Sequence, residues 1–282
     1  MSLVEVTELH RVFQMGRGAE DVTAVNRTSF SIEAGEALGL VGESGSGKST
    51  IARILVGLER ADSGEALIDG ADVLRPARGR GARLARARAA QMVFQDPNGS
   101  LDRRLAVGEM LQRTLLQHGR ASGRAEARSG ALRLLDRVRL TERQAAARPH
   151  ELSGGQRQRV AIARALAVEP KLVVLDEAVS ALDVSVQAQV LDLLAEIQRD
   201  SGVSYLFVSH DLAVVQELCQ RVIVLFRGSI VEQGATGRVL EAPEHPYSQL
   251  LVASTPGPDW DPERVVRDRM TFTQRMSVVP EA

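Results

Sequence analysis

The residues best suited to chemistry begin at Gly42-Glu43-Ser44-Gly45-Ser46-Gly47-Lys48-Ser49-Thr50, a loop of the form G-x-x-x-x-G-K-[ST]. Glycines at 42, 45 and 47 let the backbone turn and bring successive N–H groups close to a phosphate, with no β-carbon in the way. Lys48 adds a compact positive charge for the β- and γ-phosphates, and Ser49 can offer its hydroxyl to Mg²⁺. A helix that follows points its positive end at the same place. Among 35 basic residues only Lys48 and Lys171 are lysines. An ammonium here is therefore a marked choice, because the planar guanidinium fork is bulkier than the cradle accommodates.

Four further groups could complete such a site. Asp176 and Glu177 stand at the end of the apolar run 172–175. Mg²⁺ prefers oxygen ligands in octahedral geometry, so Ser49 and Asp176, with Gln95, are its candidate ligands, and Glu177 is the candidate general base for an attacking water. Gln95 and His210 each follow an apolar stretch and could sense a γ-phosphate or the water. The pentapeptide Leu152-Ser153-Gly154-Gly155-Gln156 precedes a helical pattern and reads as a second anion site at a helix start. One nucleotide needs one cradle, so the economical solution has this segment cap a phosphate held by a different subunit; a plain turn is the alternative. Phe13 offers a flat surface on which adenine could stack, or equally packs as a core strand residue.

The elements that must position these groups follow from periodicity. Residues 3–41 alternate apolar and polar around a polar insert at 15–23, which predicts an antiparallel layer of strands. The run 37–41 leads into the loop, and 51–58 reads as the helix leaving it. A turn at 62–64 leads into a strand at 65–68. Arg75 to Arg88 is a basic run without aromatics, which predicts a solvated surface rather than a nucleic-acid site. From 98 to 150 the spacing is helical, and 157–167 forms a strong helix stopped by Pro170. Residues 172–175 predict a parallel strand buried on both faces. An amphipathic helix is expected at 186–197, a strand at 204–209, a helix at 213–219 and a closing hairpin at 221–234. The fold class expected is α/β, with nucleotide-binding residues at the carboxyl edge of a parallel sheet.

Composition narrows the function classes. The chain is 44% hydrophobic with a net charge of −1. It can therefore bury a full core, and no global field draws it to nucleic acid or an anionic membrane. A single cysteine, Cys219, leaves no internal disulfide and no iron–sulfur cluster in this chain. Charges at Glu5, Glu8 and Arg11 and the lack of a long apolar run predict a protein retained in the cytosol. Any membrane role then comes through a membrane-embedded partner.

In order and spacing, Gly42 to Thr50, Gln95, Leu152 to Gln156, Leu175 to Glu177, Ser180 to Asp183 and His210 resemble the motor subunit of an ABC transporter. The resemblance implies a RecA-like P-loop core at 1–97 and 166–235 carrying an antiparallel β subdomain, and a helical subdomain holding the signature motif at 98–165. It also implies a head-to-tail sandwich of two ATPase subunits around ATP and Mg²⁺, with Phe13 as adenine platform, Asp183 crossing the dimer interface and Gln95 beside the membrane partner. Segments 41–48, 93–97, 179–189 and 244–251 are similar to the oligopeptide, dipeptide and nickel importer branch. That branch implies a C-terminal extension at 236–282, a second ATPase subunit that is a paralogue, two transmembrane permease subunits and an extracytoplasmic binding protein. It places the chain at the cytoplasmic face of the membrane, held there by the permeases. Peptides are the expected cargo, with nickel or another small solute as the alternative; an exporter motor or a soluble ATPase acting on nucleic acid fits less well. Ala178 stands where the branch usually has proline, which loosens the turn after Glu177 without removing a catalytic group.

Overall fold

A computed structural model describes residues 2–16 and 20–255, together with the single positions Glu263, Met270 and Phe272. Part of the polar insert expected at 15–23, and most of the extension expected at 236–282, thus lie outside the described residues.

Two sheets organise the fold. The first is antiparallel, in the order β2-β1-β4-β5, and is formed by β1 (Ser2–Phe13), β2 (Val22–Glu33), β4 (Ser63–Ile68) and the short β5 (Ala71–Asp72). The second runs β10-β9-β3-β8-β7-β6 and contains β3 (Ala37–Val41), β6 (Ala90–Val93), β7 (Leu172–Asp176), β8 (Ser204–Ser209), β9 (Arg221–Phe226) and β10 (Ser229–Ala235). All neighbours in it are parallel except β10, which pairs antiparallel with β9.

The alternation over 3–41 therefore divides between the two sheets. Its first two strands pair antiparallel as expected, but β3, buried along its whole length, leaves that layer and becomes an inner strand of the parallel sheet. A strand with no polar residue has no face to give to water, so it belongs between two covered faces.

Successive residues of the parallel strands serve opposite cores. Leu172 and Val174 join Leu38, Leu40, Leu206 and Val208 against the antiparallel sheet and α1 (Lys48–Leu55). Val173 and Leu175 instead join Tyr205, Phe207 and Val222 against the helices of the other face. This is the period of two in side-chain direction acting on a strand covered on both sides.

The helices follow in chain order. The exposed basic run forms α2 (Gly79–Ala89), which buries none of its residues. Then come α3 (Pro97–Ser100), α4 (Val107–Gln117), α5 (Arg124–Arg137), α6 (Glu142–Ala146) and, after a 3₁₀ turn at Pro149–Glu151, α7 (Gly154–Leu166). The last four are α8 (Val184–Ser201), α9 (Leu212–Leu218), α10 (Thr236–Glu241) and α11 (Pro246–Ala253). Cys219 closes α9 and is buried, and that burial pushes its thiol pKa up and leaves it inert.

Among the described residues no helix is long and apolar enough to cross a membrane.

Candidate functional site

Parallel register brings the sequence-predicted groups to one edge. Val41 is level with Ser209, Asp176 with Val208 and Val93 with Leu175. The loops leaving β3, β6, β7 and β8 therefore emerge together at the carboxyl end of the sheet. These four loops carry Gly42 to Ser49, Gln95, Glu177 and His210.

The phosphate loop is built as a tight nest. Gly42 and Gly47 have φ of 150° and 106°. A β-carbon at Gly42 would overlap the Leu225 carbonyl, and one at Gly47 the Ala24 carbonyl. The loop is thus pressed against β9 on one side and β2 on the other, and only glycine fits. Gly228 donates to the Ser46 carbonyl at 2.9 Å and pins the far side of the loop to the β9–β10 turn.

Inside the loop, Lys48 Nζ donates to the carbonyls of Gly42 and Glu43, each at 2.8 Å, and is 5% exposed. Burial lowers its pKa, while Glu177, Asp176 and Glu43 act to raise it. Helix α1 begins at Lys48, three residues before the expected Ile51, with Gly47 as its cap. Both Lys48 and Ser49 therefore sit in the first helical turn, where the free N–H groups and the dipole favour an anion. This cradle, closed to any β-carbon at Gly42 and Gly47, fits a nucleotide polyphosphate.

The carboxylates divide their work. Ser49 Oγ donates to Asp176 Oδ1 at 2.9 Å. Burial raises the Asp176 pKa, opposed by the Ser49 hydrogen bond and by Arg53. This pair of hard oxygen donors beside the cradle fits Mg²⁺. Glu177 is in the left-handed region with φ of 49°, its N–H donating to the Val208 carbonyl. Its carboxylate accepts from Gln95 Nε2 at 2.9 Å and lies 3.3 Å from His210 Nδ1. Gln95 thus bonds to the general-base candidate, while Ser49 and Asp176 bond to each other.

Leu152 to Gln156 are arranged differently. Leu152 is buried, and Ser153 caps α7. The Ser153 hydroxyl accepts from the Gln156 N–H at 3.3 Å, and Gln156 Oε1 accepts from the Ser153 N–H at 3.0 Å, a reciprocal capping box. The sequence reading missed that box, although S-x-x-Q ahead of a helical run is its signature. A β-carbon at Gly155 would overlap Val186 of α8, whereas one at Gly154 would meet Leu182 at an ordinary 3.7 Å. Asp183 caps α8, accepting from the Val186 N–H at 3.0 Å and the Ser185 hydroxyl at 2.8 Å. Backbone and side-chain donors hold its pKa below the ordinary value.

Phe13 ends β1, partly buried, with the Arg11 guanidinium 4.6 Å from its ring centre. Arg11 is itself held by Asp62 and Glu59. Sequence reasoning singled out Phe13 and missed Arg11, for which a lone arginine in a strand carries no signal. It also missed Tyr247, whose hydroxyl accepts from the Glu43 N–H at 2.9 Å.

Comparison with known proteins gives the family and the fold. A family profile described as ABC transporter matches residues 25–180. The glutathione import ATP-binding proteins GsiA of Escherichia coli (strain K12) and Shigella flexneri are each 47% identical over 244 residues, which is 86% of this chain and 38% of the relative. The chain therefore spans well under half the length of these curated relatives. Among solved structures, a dimeric post-hydrolysis state of the ATP-binding cassette MJ0796 bound to ADP and Pi superposes with a TM-score of 0.73 at 31% identity, covering 83% of this chain and 98% of that one. The structure of cbiO1 from Clostridium perfringens, part of the ABC transporter complex cbiONQ, gives 0.74 at 25% identity, with 99% of both chains covered.

Proposed function

Since the chain belongs to the ABC transporter family, with an ATP-binding-cassette fold of the RecA-like P-loop kind, we propose that it is the ATP-hydrolysing motor subunit of an importer for small peptides. The observation that carries this reading is the convergence of a glycine-only cradle around Lys48, the Ser49–Asp176 pair and the Gln95–Glu177–His210 cluster at one sheet edge.

In this reading Gly42 to Thr50 bind the triphosphate and Phe13 stacks on adenine. Ser49, Asp176 and Gln95 would hold Mg²⁺, which would supply charge neutralisation at the phosphates. Glu177 accepts a proton from the attacking water, and His210 and Gln95 orient the Glu177 carboxylate. Phosphoryl transfer of this kind depends on positioning and charge stabilisation more than on covalent chemistry.

Leu152 to Gln156 of a second ATPase subunit close over the γ-phosphate, with Asp183 at the interface. The dimeric state of the MJ0796 cassette supports such a pair. ATP favours the closed dimer because it touches both faces, and hydrolysis removes that preference. The segment around Gln95 to Leu105 passes closure to two permease subunits, 98–165 being the helical subdomain, so the chain works at the cytoplasmic face of the membrane. Residues 1–97 and 166–235 form the core in this scheme, and 236–282 an extension. The second ATPase subunit is a paralogue, and an extracytoplasmic binding protein delivers the cargo. The naming of the GsiA relatives for glutathione import supports a peptide-like cargo.

The test is to purify the native complex, reconstitute it in vesicles and measure ATP-dependent uptake of glutathione and short peptides. Coupled uptake is expected. A chain that purifies without permeases, or a complex that hydrolyses ATP without moving any peptide, overturns the reading.

A further inference from the structure

One peptide unit of the phosphate loop is gripped from both ends by side chains from distant parts of the sequence. The carbonyl of Gly42 accepts from Lys48 Nζ at 2.8 Å, and the N–H of Glu43, across the same peptide bond, donates to the Tyr247 hydroxyl at 2.9 Å. In a trans peptide these two groups point in opposite directions, so the pair of hydrogen bonds fixes the rotation of the whole plane. Gly42 at φ 150° offers little resistance to that rotation by itself, since glycine has no β-carbon to block it.

Tyr247 is firmly held. It is 1% exposed, and its ring centre lies 4.3 Å from that of Phe226 at the end of β9. Its helix, α11, is anchored at the start by Glu232 of β10, whose carboxylate accepts from the N–H groups of Glu244 and His245, each at 3.0 Å. The Tyr247 N–H in turn donates to His245 Nδ1 at 3.1 Å. A continuous series of contacts thus runs from β10 through α11 into the loop that cradles phosphate.

We propose that Tyr247 is a positioning residue of the nucleotide site, acting from the C-terminal extension to hold the Gly42–Glu43 peptide in the orientation that places Lys48 and the loop amides for ATP. The proposal rests on the reading of Gly42 to Thr50 as an ATP site. It gives the extension a direct purchase on nucleotide affinity, so that a partner or ligand displacing α11 would change how tightly this subunit holds ATP.

The experiment compares the full-length wild-type chain with Tyr247→Phe, which keeps the ring and removes only the hydroxyl. ATP affinity is measured by calorimetry, and ATP hydrolysis in the assembled complex is followed across ATP concentrations. Loss of one hydrogen bond to the loop should weaken ATP binding about three- to tenfold and raise KM by a similar factor, with kcat within about twofold. A merely structural tyrosine would lower the thermal midpoint and leave the affinity of the folded protein unchanged. Glu232→Gln, which loosens the α11 anchor without touching the loop, should shift affinity in the same direction by about twofold and combine less than additively with Tyr247→Phe. Wild-type ATP affinity in both variants overturns the proposal. Failure of the wild-type chain itself to bind ATP would instead overturn the assignment of the loop.

Discussion

Around the phosphate loop, polar side chains find one another across long stretches of chain. Ser49 meets Asp176 over 127 residues, and Gln95 meets Glu177 over 82. Around Ser153 and Asp183 they find partners only two or three residues away, in helix caps. The difference shows what each region is built to do. The first is a site assembled by tertiary structure, whose groups are already aimed at a shared space. The second is a stabilised helix start whose polar groups are spent on its own caps.

The contrast can be broken at its strongest point with Glu177→Gln. Turnover by the assembled complex should fall about 10²-fold or more while ATP binding persists, because only the proton acceptor is lost. Steady-state hydrolysis at the wild-type rate would remove Glu177 from the chemistry.

Two glycines sharpen the contrast next. Gly47→Ala forces a β-carbon into the Ala24 carbonyl at a positive φ, and should cost on the order of 3 kcal/mol in chemical denaturation along with ATP binding. Gly154→Ala meets only Leu182 at ordinary contact distance and should leave stability within about 0.5 kcal/mol. Any loss of hydrolysis in Gly154→Ala then reports on what approaches that helix from outside.

Ser153→Ala removes one half of the capping box and should cost about 1 kcal/mol of stability, read by denaturant titration. An unchanged denaturation midpoint would mean that the cap contributes nothing within the chain.

The smallest effect concerns Asp176. Its pKa is raised by burial above the ordinary carboxylate value, so the folded chain binds this proton more tightly than the unfolded one. Stability is then greatest below the ordinary carboxylate pKa and falls as pH rises through the raised value. Asp176→Asn should abolish that fall, because an amide has no proton to take up in this pH range. A pH–stability profile with the same slope as wild type would contradict it.

Much of this was legible in the sequence because the signals are local. The spacing of Gly42 to Ser49 specifies a loop, a cradle and a helix start within nine residues. The apolar runs at 172–175 and 204–209 specify buried parallel strands, and β7 and β8 occupy them. What was misplaced was also local in origin. Residues 37–41 follow two antiparallel strands closely enough to look like a third, and only competition for a doubly covered position draws β3 into the other sheet. The basic run at 75–88 lacks an apolar stripe, so nothing in its pattern announces the exposed helix α2.

The sequence alone determined which groups could do chemistry: a lysine among arginines in a glycine-rich loop, paired carboxylates after an apolar strand, and a helix start able to face an anion. Tertiary structure decided which of them meet. Parallel register brings β3, β6, β7 and β8 to a common edge, and strand pairing between residues 32, 82 and 168 positions apart is a property of the packed core that no short pattern encodes. It also decided that Glu177, and not the metal-site pair, receives Gln95, and that a tyrosine 204 residues downstream holds the first peptide of the phosphate loop. Such contacts depend on where a hydrogen-bond donor is left after folding, which is fixed by three-dimensional packing.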